Sequence, residues 1–216
     1  MTVLEHKNNS SVSTQSSPRV KEAHVKKKIG IFGGSFNPPH IGHLIIADQV
    51  QNQLGLEKIL FIPTANPPHV SKKETISAEH RIEMITLSIE ENPNFSVDLS
   101  EIVRGGKSYT FDTIVELKER NPETEYYFII GGDMVADLKN WYKIEELLKI
   151  VQFVAVRRPH YAKETEYPVI WVDIPEIEIS STLIRQKIRQ NCSVNYLISS
   201  TVLEYIQKEG LYKSNE

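Results

Sequence analysis

Two imidazoles three residues apart, His40 and His43, stand where a helix pattern begins. The glycine pair Gly33-Gly34 and the run Ser35-Phe36-Asn37-Pro38-Pro39 lead directly into them. Upstream lies Lys28-Ile29-Gly30-Ile31-Phe32, an apolar run of strand character. Glycine carries no Cβ, so its backbone can come close to a ligand. A helix start offers unpaired N–H groups and the positive end of a dipole, a combination that suits an anion. Imidazoles add donors at the same place. Glycines, amides and imidazoles converging after a buried strand are the parts needed to hold a polyphosphate.

The same residues have plainer readings. Glycines alone would mark an ordinary strand-to-helix turn, and His40 could cap or pack against the helix. A histidine pair on a helix can also bind zinc, but the spacing lacks the glutamate of HExxH and only Asp48 is near as a third ligand. A metal site built by the protein is therefore not expected. No GxGxxG and no GxxxxGK[ST] occurs, which disfavours dinucleotide dehydrogenases and P-loop NTPases.

A second phosphate candidate is Ile179-Ser180-Ser181-Thr182-Leu183-Ile184-Arg185. Hydroxyls and amides at a helix start can hold an anion, and Arg185 one turn in can pair with it. Ile198-Ser199-Ser200-Thr201 repeats the tetrapeptide with Glu204 in place of a cation. Helix capping explains that copy, so Arg185 carries the functional weight of the first. Gly131-Gly132-Asp133 follows another apolar run, and Trp141-Tyr142 comes one short helix later. Aromatic rings there could stack on a planar heterocycle or belong to the core. Lys107-Ser108-Tyr109-Thr110 precedes a helix and could add amides to the same rim. Asn-Pro-Pro-His recurs at 66–69, followed by Lys72 and Lys73, a small cationic loop or a merely solvated one.

The elements that must position these groups alternate regularly. Continuous apolar runs at 28–33, 57–62, 126–130, 151–156 and 169–173 predict strands covered on both faces of a parallel sheet. Phe95, Val97 and Leu99 alternate with polar residues, as in an edge strand. Ile46, Val50 and Leu54 predict a helix stopped by Gly55. Ser77 predicts a cap for a helix bearing Ile82, Ile85 and Ile89. Further helices are expected at 111–121, 143–149, 181–190 and 199–209. Strand–helix alternation predicts an α/β fold, a Rossmann-like doubly wound parallel sheet with helices on both faces. Ligands then lie beyond the strands' carboxyl ends where the strand order reverses. The loops after the first strand and after Ile130 should face one another there.

Composition narrows the class. The 216 residues are 40% hydrophobic and 25% charged, with a net charge of −3. These values suit one soluble domain with a real core, and not a nucleic-acid or membrane-surface protein. Cys192 is the single cysteine, so no intrachain disulfide can form. No apolar run reaches the roughly 20 residues that span a bilayer. A cytoplasmic location is expected, and a homo-oligomer is compatible with the sequence. Residues 1–27, rich in Ser and Asn, predict a disordered extension ahead of a single domain over 28–216.

Taken together the motifs resemble the bacterial nicotinate-nucleotide adenylyltransferases of the HxGH nucleotidyltransferase superfamily. The resemblance covers essentially all of 28–213. It rests on residues 33–43, Ser108-Tyr109-Thr110, Ile130-Gly131-Gly132-Asp133, Trp141-Tyr142 and 179–185. It implies adenylyl transfer from ATP to nicotinate mononucleotide, giving deamido-NAD and pyrophosphate, with Mg²⁺ carried by the ATP phosphates. It implies direct in-line attack with no covalent enzyme intermediate.

By the same resemblance His43, assisted by His40, would stabilise charge at the α-phosphate. Gly33, Gly34, Ser35 and Phe36 would line the nucleotide. Ser180, Ser181, Thr182 and Arg185 would hold the β- and γ-phosphates, and Gly131 and Asp133 would meet ribose hydroxyls. Trp141 would stack on the pyridine ring, with Tyr109, Thr110, Tyr142 and Lys72 completing the acceptor site. Relatives often carry a lysine directly after the second Pro-Pro-His, where this chain has Val70; Lys72 or Lys73 would substitute. The competing readings are another HxGH enzyme such as pantetheine-phosphate adenylyltransferase or a cytidylyltransferase, a non-catalytic nucleotide-binding protein, and a zinc-dependent hydrolase.

Overall fold

The structure is a computed structural model and describes residues 26–66, 75–157 and 165–213. Almost all of the expected extension at 1–27, and Lys72 and Lys73, lie outside the described residues.

Six strands form one sheet: β1 (Lys28–Gly34), β2 (Lys58–Pro63), β3 (Phe95–Val97), β4 (Glu125–Gly131), β5 (Gln152–Arg157) and β6 (Val169–Asp173). Every pairing is parallel, in the order β3-β2-β1-β4-β5-β6. The chain builds outward from β1 to one edge, then returns to β4 beside β1 and builds to the other. That reversal puts the ligand-bearing crevice between the carboxyl ends of β1 and β4. Ile31 is level with Phe128, and three residues further along each strand are Gly34 and Gly131.

Alternate side chains of each strand divide between two cores, as the pleat requires. Phe32, Tyr127 and Ile129 join Val50, Ile85 and Ile89 on one face. Ile31, Phe128 and Ile130 join Ile114, Leu117 and Leu147 on the other. The covering helices are α1 (Ile41–Leu54) and α2 (Ala78–Ile89) on the first face, and α4 (Thr110–Arg120) and α5 (Ile144–Leu147) on the second. Two last helices, α6 (Ser181–Arg189) and α7 (Ser200–Lys208), share a third cluster with α2, built on Met84, Ile184, Val202 and Ile206. Among the described residues no helix is long and apolar enough to cross a membrane.

Local signals act as read. Gly55 adopts the left-handed conformation that ends α1, and Ser77 accepts the His80 amide to start α2. Phe95–Val97 is an edge strand. Three readings need correction. β6 is also an edge, with only Val172 of its five residues buried, so its apolar run is covered on neither face fully. Gly33, Gly34 and Gly131 are the last residues of their strands, not loop residues. A short helix α3 (Ser100–Arg104) occupies a connection where none was expected, whereas the short helix expected ahead of Trp141 is present as a 3-10 helix over Gly132–Asn140.

Candidate active site

The turn from β1 into α1 is built around a buried aromatic ring. Phe36 is 1% exposed and has φ of 47°, a left-handed conformation unusual for a bulky residue. Its ring packs edge-on against Phe32 and lies 5.1 Å from the His43 ring. This ring also explains Gly34: a Cβ there would stand 3.1–3.3 Å from three Phe36 ring atoms. The absence of a side chain at Gly34 therefore leaves room for the Phe36 ring. The Asn37–Pro38 peptide is cis.

His40 is the N-cap of α1, and its ring stacks on that of His43 with centroids 3.6 Å apart and planes 25° from parallel. The His40 amide donates to Nδ1 of His43 at 3.1 Å. His43 thus takes the part of the glutamate in a capping box. Because Nδ1 accepts, the neutral ring carries its proton on Nε2. Burial, and next the neighbouring His40, hold the His43 imidazole well below the usual histidine range. His43 is accordingly a neutral donor near pH 7, and one of its nitrogens is already engaged, which argues against chelation of zinc by the pair. The glycine between them follows from the stack: a Cβ on Gly42 would lie 3.1 Å from Nδ1 of His40. The first amide of α1, that of Ile41, donates to Leu197 O at 2.9 Å and is not offered to an anion.

The 179–185 motif docks on this turn. Ser181 donates to Pro38 O at 2.7 Å, and Arg185, 8% exposed, donates to Asn37 O at 2.9 Å. Arg185 also donates to Thr182 Oγ1 at 3.3 Å, while Ser180 caps α6 by accepting from the Leu183 amide. The motif's side chains therefore brace the histidine turn, and Ser180 is a cap like Ser199 at α7.

Across the switch point, the Asp133 carboxylate folds over Gly131, where a Cβ would force that side chain to move. Trp141 ends the 3-10 helix and meets Phe128 and Phe153 edge-on at 5.8 and 5.7 Å. Core packing thus anchors its ring, which remains partly exposed. Beside it Tyr109 and Tyr142 stand 4.7 Å apart, with Tyr142 45% exposed. Thr110 opens α4, which no side chain caps. The predicted groups thus fall on the carboxyl edge of the sheet, with Lys72 outside the described residues.

Known proteins fit this arrangement. A cytidylyltransferase-like family model matches residues 31–187. An Enterococcus faecalis protein is 55% identical over 189 residues, covering 88% of this chain and 86% of its own. A Lactiplantibacillus plantarum protein is 53% identical over 190 residues, covering 88% and 90%. Both carry the name "Probable nicotinate-nucleotide adenylyltransferase". The chain belongs to the nicotinate-nucleotide adenylyltransferase family. A solved structure of the Plasmodium falciparum nicotinic acid mononucleotide adenylyltransferase, complexed with NaAD, shares its fold. The TM-score is 0.72 at 24% identity, over 86% of this chain and 97% of that one.

The chain also has site-supporting residues whose side-chain roles the sequence did not show. Arg81 is 2% exposed and donates to Ser35 O at 3.0 Å. Tyr212 donates to Asn37 Oδ1 at 2.7 Å. Lys143 sets its ammonium 4.5 Å from the Phe111 ring centroid and 5.2 Å from that of Tyr142, placing a cation beside the aromatic ledge. Glu101 is buried and accepts from Thr113 Oγ1 at 2.8 Å, and burial pushes its carboxyl above the usual range. Ser108, noted in the sequence only for its place ahead of a helix, is a second hydroxyl partner of Glu101; it accepts the Ala65 amide at 3.0 Å and ties the loops after β2 and α3 together. A signal existed for Arg81 alone, which sits at i−4 and i−8 of Ile85 and Ile89 on the buried stripe of α2.

Proposed function

We propose that this chain joins the adenylyl group of ATP to the phosphate of nicotinate mononucleotide in the crevice between β1 and β4. A phosphate oxygen of the mononucleotide attacks the α-phosphorus, the bond to the β-phosphate oxygen breaks, and pyrophosphate leaves. The acceptor phosphate has a second pKa of about 6 and is ionised near neutral pH, so no strong base is required. Catalysis is then alignment plus stabilisation of charge on the phosphoryl oxygens. The observation that carries this reading is the stacked His40–His43 pair at the switch point, with His43 fixed as an Nε2 donor.

His43 donates to the α-phosphate as charge develops, and His40 holds its ring in place. Arg185 and Thr182 supply donors for the β- and γ-phosphates, and Ser181 ties their helix to the turn. Asp133 accepts from ribose hydroxyls. Trp141 offers its partly exposed ring to the pyridine. The first amides of α4, with the Lys143 cation near, receive the nicotinate carboxylate, which a neutral carboxamide could not match. Among the described residues no group of three or more His, Cys, Asp and Glu side chains could hold a metal ion. A Mg²⁺ would therefore be held by phosphate oxygens and water, where it would neutralise phosphate charge.

The test is an adenylyl-transfer assay with ATP and each of three acceptors: nicotinate mononucleotide, nicotinamide mononucleotide and phosphopantetheine. Deamido-NAD formed at the highest kcat/KM is the expected result. Product with phosphopantetheine alone would overturn the reading.

A further inference from the structure

The turn that carries the histidines is held from beneath by two residues to which no role toward a substrate has been given. Arg81 is among the largest fully buried side chains, and its Nε has no hydrogen-bond partner. Among the described residues no carboxylate pairs with it. Burying such a cation is unfavourable, so its place must be compensated by what it holds. Its one charge-assisted bond goes to the carbonyl of Ser35. A trans peptide is planar, with its C=O and N–H pointing opposite ways. Fixing the Ser35 carbonyl on Arg81 therefore aims the Phe36 amide away from α2.

Tyr212 reaches the same turn from the segment after α7. Its φ of 64° is a conformation that an aromatic residue rarely adopts, and its hydroxyl donates to the Asn37 side chain. Burial holds the phenol well above its usual range, against the opposing pull of Arg185 and Arg81. It is a permanent donor. Arg185 takes the Asn37 carbonyl, so three distant points of the chain converge on Ser35 and Asn37.

We infer that Arg81 and Tyr212 are positioning residues for adenylyl transfer, fixing the Ser35–Asn37 turn so that its amides and His43 meet the phosphates in one arrangement. This rests on the site reading given above. The Phe36 ring lies between the turn and His43, in contact distance of that ring, so a shift of the turn reaches the imidazole directly.

The experiment compares Tyr212→Phe, Arg81→Lys, Arg81→Met and His43→Ala in the adenylyl-transfer assay, with melting temperatures measured alongside. Tyr212→Phe removes one oxygen and keeps the ring, and kcat is expected to fall about 2- to 10-fold, the usual weight of one hydrogen bond. Both KM values are expected to stay within about twofold, because the loss is confined to the transition state. Arg81→Met is expected to lose about 10-fold or more, as for a bond to a charged donor, with Arg81→Lys recovering part. Should Arg81→Met fail to fold, Tyr212→Phe and Arg81→Lys decide. Wild-type kcat in Tyr212→Phe and Arg81→Lys, with His43→Ala inactive, would overturn the brace and leave the site standing. Full activity in His43→Ala would overturn the site itself, and the brace with it.

Discussion

His43 receives the amide hydrogen of His40 on Nδ1, and the two rings lie face to face 3.6 Å apart. One hydrogen bond therefore sets the tautomer, and one stack sets the ring plane. The stack in turn leaves little room for a side chain at Gly42. The HxGH spacing is a small machine for aiming a single Nε2–H.

Replacing His43 by alanine removes that donor. kcat is expected to fall about 10²–10³-fold, the cost of one donor aimed at developing charge. ATP affinity should weaken far less, because the ground-state phosphates keep their other partners. Steady-state kinetics with equilibrium ATP binding check this; unchanged kcat would remove His43 from the chemistry.

The lowered pKa of His43 has a signed consequence for stability. Above pH 6.5 the ring is neutral whether the chain is folded or not. Below it the unfolded chain takes up a proton that the folded ring refuses, so unfolding gains ground as pH falls toward the folded pKa. Urea midpoints should therefore drop below pH 6.5, and the drop should shrink in His43→Phe. Binding of ATP should raise the His43 pKa, since a nearby anion favours imidazolium. Histidine ¹⁵N shifts, with and without ATP, report both the tautomer and that rise.

Gly42→Ala separates activity from stability. The new Cβ would press on His40 at 3.1–3.2 Å, tilting the stack. Within a helix, alanine is favoured over glycine by about 1 kcal/mol, which offsets much of the strain. The melting temperature is expected to move little while kcat falls at least several-fold. A large loss of stability with kcat kept would mean that the stack is only structural.

Trp141→Ala is expected to raise KM for the mononucleotide and to lower stability by about 2 kcal/mol, since the ring also rests on Phe128 and Phe153. A fall in melting temperature with KM unchanged would assign the ring to the core alone.

What could be read in advance follows from range. Continuous apolar runs such as Tyr126–Ile130 mark buried parallel strands because both their faces are covered, and capping at Ser77 or Gly55 is decided within a few residues. The 33–43 turn sets His40 and His43 together through adjacent residues, so their meeting at the start of α1 was legible too. The bonds of Arg81 and Tyr212 were not, because their partners, Ser35 and Asn37, lie 46 and 175 residues away; for Arg81 the stripe of α2 signals burial but not what it holds. β6 misled for a related reason: Val169–Val172 is as apolar as a central strand, and only the strand order makes it an edge. The packing of the Phe36 ring against Gly34 was not legible, because it depends on a backbone conformation that phenylalanine seldom adopts.

Helix α7 closes the second half of the chain yet rests on α2 of the first, through Met84, Val202 and Ile206. That crossover works as a clasp. Rotation of one half against the other at the switch point would have to break that apolar contact, so the clasp favours a fixed crevice.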